Sequence, residues 1–204
     1  QSLEDEEWVP ASRRAAGMPR SKVYLRRGKS YRADDMINAV LLSSANDASV
    51  ALAEKIAGSE RVFAKLMTHK AKAWGAENTV CKTSTGLTAR GQKSTVRDLA
   101  VLFNRAMDNQ EFAARVVRTK VKTGYGKVLK NHNRALWQID GAEGGKTGYT
   151  KAARQTYVGK FKRGEDEMTV AVMGSETMWD DVKRLVEYGF AKKKSLGITT
   201  AAAK

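Results

Sequence analysis

A single cysteine, Cys81, stands in 204 residues, so the chain can close no disulfide within itself and build no cysteine-based zinc site. Histidine is nearly as scarce. His69 and His132 lie far apart in sequence and form no metal-ligand pattern with Cys81, and no metal or cofactor is expected. Cys81 reads as a small packing residue and His132, between two asparagines, as a structural turn residue rather than a base. There are only two prolines, and no apolar run approaches the roughly 20 residues of a membrane-spanning helix. A leader-like stretch and an initial methionine are both missing; the chain starts at Gln1, which suggests a front end that was processed or trimmed. No internal repeat is visible.

What the chain has in excess is positive charge. Lysine and arginine number 37 against 22 acids, a formal net charge of +15. Such a balance suits polyanionic partners: nucleic acid, anionic lipid or acidic wall polymer. The basic residues are dispersed, however, and a solvated basic surface explains most such runs. The strongest exception is the stretch with Arg118, Lys120, Lys122, Lys127 and Lys130, where alternation predicts one cationic strand face. No helix-turn-helix, aromatic RNA-binding signature or zinc finger accompanies it, which argues against nucleic acid. Trp8, Trp74, Trp137 and Trp179 are spread across elements and form no stacking platform. With 42% apolar and 29% charged residues the composition is globular, and the length suits one domain.

Periodicity supplies the elements. Pro10 closes a short extended stretch, and Val23, Tyr24 and Leu25 read as a strand. A helix capped by Asp34 or Asp35 carries Met36, Ile37, Val40 and Leu41 and stops at Ser43 and Ser44. A second runs from Asp47 to Ala57, ended by Gly58. Ser59 caps a third, burying Val62, Phe63, Leu66 and Met67, and Ser94 caps a fourth through Val96 and Phe103. Val116, Val117 and Val121 alternate with basic residues and read as a strand turning at Gly124 and Gly126. Residues 156–161 and 168–173 form a hairpin, and a helix from Trp179 to Phe190 closes the fold. Helices first and antiparallel hairpins later define an α+β class, an antiparallel sheet flanked by a helical cluster.

Two tripeptides stand out. Ser44-Ala45-Asn46 lies at a helix-to-helix junction, and Lys146-Thr147-Gly148 lies on a strand followed by a hairpin, 100 residues later. Either alone is weak; in this order they are two of the three motifs of penicillin-binding proteins and β-lactamases. The chain resembles the low-molecular-weight penicillin-binding proteins, the D-alanyl-D-alanine carboxypeptidases, from about Ser2 to Phe190. Residues 12–19, 25–28, 85–87, 131–137 and 172–174 share in the likeness.

The resemblance implies a β-lactamase/DD-peptidase-like fold over residues 1–190, with 191–204 as a basic, frayed tail. It implies a serine carboxypeptidase that acts on the peptidoglycan pentapeptide, is inhibited by β-lactam antibiotics and is exported to the periplasm or cell envelope. By resemblance, Ser44 and Lys146 relay a proton, and Asn46 holds the nucleophile's lysine partner and the substrate amide. Thr147 binds the substrate carboxylate, the Tyr149 backbone N–H serves the oxyanion hole, and Gly148 leaves room for the substrate backbone. The alternative is a non-catalytic basic module that binds anionic wall polymer or nucleic acid.

Two departures qualify the likeness. No serine here is followed three residues later by lysine; after Ser12 that position is Ala15. The nucleophile segment is therefore expected upstream of Gln1, and residues 1–204 alone are expected to be inactive and prone to aggregate. Beyond the final strand, where relatives place an arginine for the substrate carboxylate, stand Glu176, Asp180 and Asp181.

Overall fold

The computed structural model describes residues 3–197. Its contacts separate into two compact units. Unit 1 comprises Gln1–Ala73, Thr79–Lys93 and Arg118–His132; unit 2 comprises Trp74–Asn78, Ser94–Val117 and Asn133–Lys204.

Unit 1 opens with β1 (Trp8–Pro10), the single turn α1 (Arg13–Ala16) and β2 (Ser30–Arg32). β1 and β2 pair antiparallel with Val9 opposite Tyr31. Three helices follow: α2 (Ala33–Ser43), α3 (Asn46–Ala57) and α4 (Glu60–Ala73). A two-stranded ribbon, β3 (Lys120–Lys122) and β4 (Val128–Lys130), completes the unit. Met36, Ala39 and Leu42 of α2 and Ala48, Val50 and Ala51 of α3 are essentially inaccessible and share one core with Val9 and Leu129. Each of the larger side chains contributes about 1.5–3 kcal/mol by leaving water. The many alanines bring α2 and α3 close together.

Unit 2 contains α5 (Val96–Met107), α6 (Gln110–Val116), the short α7 (Ala135–Gln138) and α8 (Met178–Leu196). Its sheet has three antiparallel strands in the order β5 (Ala142–Thr150), β6 (Arg154–Arg163) and β7 (Asp166–Ser175), which leaves β5 on an edge. Tyr157, Phe161 and Val170 of the sheet meet Val182 and Val186 of α8 in a second core. All strand pairing in both units is antiparallel, and the class is the expected α+β with helices flanking antiparallel sheet.

Several local expectations are corrected. Residues 23–25 form no strand: the N–H groups of Val23 and Leu25 bond to the Asp47 side chain, and Tyr24 between them has φ 63°. Neither Asp34 nor Asp35 caps α2: the N-cap is Arg32, and both acids lie inside the first turn. In α4, Val62 and Leu66 are exposed while Glu60, Ala64 and Ala71 are buried. Thr95, not Ser94, caps α5, its Oγ1 accepting from the Asp98 N–H. Val116 ends a helix rather than belonging to a strand; Asn109 caps that helix through Phe112 N–H, and Arg115 pairs with Glu111 one turn back. α8 runs six residues past Phe190, so the expected fray does not hold through Leu196, and residues 198–204 lie outside the described residues.

Candidate functional site

In unit 1 the Ser44-Ala45-Asn46 turn joins α2 to α3. Ser44 ends α2 in the left-handed region, φ 52° and ψ 42°, its N–H returning to the Ala39 carbonyl. A residue with a Cβ pays about 1–2 kcal/mol for that conformation, so neighbours must hold it. They do so through the loop at residues 19–25. Asn46 donates its backbone N–H to the Ser21 carbonyl at 2.8 Å and its side-chain amide to the Pro19 carbonyl at 3.2 Å. The next residue, Asp47, is wholly buried at the start of α3, where a carboxylate also complements the helix dipole. Its oxygens accept the N–H groups of Val23, Leu25 and Ala48, each at 3.0 Å. The far side of the turn is tied to β4: Ser43 Oγ donates to the Lys130 carbonyl, and the His132 N–H donates to the Leu42 carbonyl. His132 is thus bonded through its backbone within a connection.

In unit 2, Lys146-Thr147-Gly148 occupies β5, in register with Val158, Tyr157 and Thr156 of β6. The Lys146 ammonium donates to the Thr147 carbonyl at 3.0 Å. Burial pulls its pKa down from 10.5 to about 8, so near neutral pH it can both hold and release a proton. The glycines before it are demanded by packing. A Cβ on Gly145 would lie 2.5 Å from the Tyr157 hydroxyl, and one on Gly144 2.7 Å from a Val116 methyl. Burial pushes the Tyr157 hydroxyl pKa well up, the Asn133 side chain offsetting part of that rise. Gly148 has a structural reason as well: a Cβ there would come 2.5 Å from Thr156 Oγ1. Tyr149 is two-thirds exposed on the same edge strand. The lead into the motif carries a bulge between Ala142 and Gly144.

Unit 1 thus gathers Ser44 and Asn46, and unit 2 gathers Lys146, Thr147, Gly148 and Tyr149. Sequence reasoning missed Asp47 and Tyr157 as supports of these motifs. An acid directly after the turn, at the first turn of an apolar helix, was the available signal for Asp47; Tyr157 gave none. Cys81 is partly buried and its thiol pKa is raised by that burial, which leaves it a weak nucleophile. Among the described residues no three His, Cys, Asp or Glu side chains gather as a metal site, and no helix is long and apolar enough to cross a membrane.

The family model for D-alanyl-D-alanine carboxypeptidase matches residues 1–177, taking in both motifs. The chain belongs to that family. It is 37% identical over 180 residues to the D-alanyl-D-alanine carboxypeptidase DacB2 of Mycobacterium tuberculosis, covering 83% of this chain and 62% of that protein. It is 31% identical over 197 residues to DacF of Bacillus subtilis, covering 90% and 49%. The chain therefore spans about half to three-fifths of these two relatives. A crystal structure of a D-alanyl-D-alanine carboxypeptidase from Mycobacterium tuberculosis superposes with a TM-score of 0.85 at 34% identity, covering 93% of this chain and 75% of that one. An ampicillin-bound penicillin-binding protein D2 from Listeria monocytogenes gives 0.82 at 28%, covering 92% and 78%. The β-lactamase/DD-peptidase-like fold is established by these neighbours.

Of the three acids after β7, Glu176 and Asp181 are engaged within unit 2. Glu176 pairs with Arg154, and Asp181 accepts from the Ser175 hydroxyl at 2.5 Å. The Arg154 guanidinium is thus occupied by an acid of its own unit.

Proposed function

We propose that this chain is the greater part of the peptidase domain of a serine-type D-Ala-D-Ala carboxypeptidase acting on peptidoglycan stem peptides, with residues 1–190 forming that part. The observation that carries the reading is the presence of both motifs, Ser44-Ala45-Asn46 on a left-handed turn of unit 1 and Lys146-Thr147-Gly148 on an edge strand of unit 2, inside a family match over residues 1–177. No serine has a lysine three residues on, and the nucleophile is assigned to chain outside these 204 residues.

In the proposed reaction the nucleophilic serine oxygen attacks the penultimate D-Ala carbonyl. An ester forms, the peptide C–N bond breaks, and the terminal D-Ala leaves. Ser44 and Lys146 carry the proton to the departing amine; a lysine with a pKa near 8 suits that exchange. Thr147 hydroxyl binds the terminal carboxylate. The Tyr149 N–H, on the edge strand β5, joins the nucleophile's own N–H in stabilising the oxyanion. Asn46 retains its Oδ1 to orient the nucleophile's lysine, its amide nitrogen being bonded to Pro19. Water then hydrolyses the ester. β-Lactams would be captured at the same serine and would persist as acyl-enzyme. A peptidoglycan substrate implies export to the periplasm or cell envelope.

The test is release of D-Ala from a synthetic acyl-Lys-D-Ala-D-Ala tripeptide. The chain extended by its upstream coding residues should release it, and the same chain carrying K146A should lose at least a hundredfold in kcat/KM. Undiminished release by K146A would remove Lys146 from the proton path, and no release by the extended parent would sink the reading.

A further inference from the structure

Unit 1 carries 21 lysines and arginines against nine acids, net +12, whereas unit 2 carries 16 against 13, net +3. The excess is concentrated in residues 79–93 and 118–132, which contain no acid at all. On the β3–β4 ribbon, Lys120 stands directly opposite Lys130 and Lys122 opposite Val128, so three ammonium groups share one face. All three lysines are exposed. The other face is apolar: Leu129 is buried and Val121 packs against the unit 1 core. Like charges directly opposed across strands oppose pairing, and none of these lysines has an ion pair among the described residues. Asp35, which lies at the hairpin turn, does not neutralise that face: it is buried, its carboxylate accepting the Gly124 N–H at 3.1 and 3.2 Å.

A second constellation continues the charge. The Tyr24 ring, half-exposed on a residue with φ 63°, has the Lys127 ammonium 5.0 Å and the Lys22 ammonium 5.5 Å from its centroid. Lys127 belongs to the turn of the same ribbon, where its backbone makes three hydrogen bonds with Thr123. The ring holds two cations near each other without neutralising either.

We propose that this face, Lys120, Lys122 and Lys130 with Lys22 and Lys127 around Tyr24, binds a linear phosphodiester polymer of the cell wall. Lysines two apart on a strand repeat at about 6.8 Å, which is comparable to the repeat of an extended phosphodiester chain. Ammonium groups act as point charges and suit a diester phosphate, which offers no planar carboxylate to grip. A membrane surface fits less well, because Val128 is the one apolar side chain that β3 and β4 present on the face of the three lysines. The site lies wholly within unit 1 and is independent of acyl transfer.

Binding of the full-length chain to poly(glycerol phosphate) of defined length, measured by fluorescence anisotropy at 50 to 200 mM salt, tests this. The parent should bind, weakening steeply with salt. K120Q/K122Q/K130Q should lose at least tenfold in affinity and lower the log–log salt slope by about 2. It should melt no lower than the parent, since a like-charge opposition is relieved. A control with the same charge change on α8, K183Q/K192Q/K194Q, should stay within twofold. K120R/K122R/K130R should bind like the parent and separates lost charge from lost fold. Equal losses in the ribbon and control triples would overturn the site in favour of diffuse attraction. No binding by the parent, or tighter ribbon-dependent binding to oligo-dT, polyglutamate or phosphatidylglycerol vesicles, would overturn the assignment of the partner.

Discussion

The two motif-bearing regions are built by opposite means. In unit 1 the Ser44–Asn46 turn is held by added polar groups: the Asp47 carboxylate accepts three N–H donors, and Asn46 binds the loop at residues 19–21. In unit 2 the Lys146–Gly148 strand is held by what is missing, since Gly144, Gly145 and Gly148 make room for Val116, Tyr157 and Thr156. The first region should fail when atoms are removed and the second when atoms are added. Both place a motif side chain in a costly setting, Ser44 through its backbone and Lys146 through desolvation.

The largest expected effect is in unit 1. Asp47→Ala leaves three backbone donors without their acceptor, two of them on the segment under the turn, and should cost about 3–5 kcal/mol in urea-unfolding stability. A loss below about 1 kcal/mol would show that the loop at residues 19–25 is held by something else. In unit 2, Gly145→Ala should cost about 1–3 kcal/mol by overpacking. Removing the Tyr157 hydroxyl should relieve part of it, so G145A/Y157F should show a coupling of about 1 kcal/mol in a double-mutant cycle. Strict additivity would mean that the hydroxyl is not the obstacle.

Lys146 offers a pH-dependent test. Its folded pKa of about 8 lies below the unfolded 10.5, so holding the ammonium costs stability fully below pH 8 and not at all above 10.5. Lys146→Met should therefore raise stability at pH 7 by about 1–2 kcal/mol, less than the whole shift implies because the side chain keeps some contact with water. The gain should fade between pH 8 and 10.5; a pH-independent gain would refute the desolvated ammonium. The smallest effect is at the turn itself. Ser44→Gly should be more stable than Ser44→Ala by about 1 kcal/mol, because only alanine keeps a Cβ in the left-handed conformation. Equal melting temperatures would argue that the turn relaxes.

The sequence made the large amphipathic elements legible. Gly58 ends α3 in a left-handed conformation, the β6–β7 hairpin turns at Gly164, and Val182 and Val186 of α8 face the core as their spacing implies. It failed where a local pattern had two meanings. Val116 and Val117 among basic residues look like a strand, yet Asn109 and the Glu111–Arg115 pair commit that stretch to a helix. In α4 the apolar Val62 and Leu66 face solvent while Glu60 is buried, because Arg14 and both polar groups of Ser84 converge on its carboxylate. Burial alone would raise that acid's pKa; the Arg14 and Ser84 bonds outweigh it and hold the pKa low. No helical periodicity encodes a partner 46 residues away. The same holds for Asp47, whose bonds reach residues 22 and 24 positions earlier. The two motif tripeptides were legible as sequence patterns, and the family match over residues 1–177 takes in both.

Intact-mass measurement after exposure to a penicillin bears most directly on the central claim, that this chain carries the supporting motifs of a D-Ala-D-Ala carboxypeptidase while its nucleophile lies outside residues 1–204. Ring opening adds the whole mass of the antibiotic to the acylated serine, so one adduct per molecule is easily read. The account predicts no adduct on residues 1–204 and one per molecule on the chain extended upstream, mapping to a serine before Gln1. A stoichiometric adduct on the 204-residue chain, mapped to Ser12 or Ser44, would contradict it.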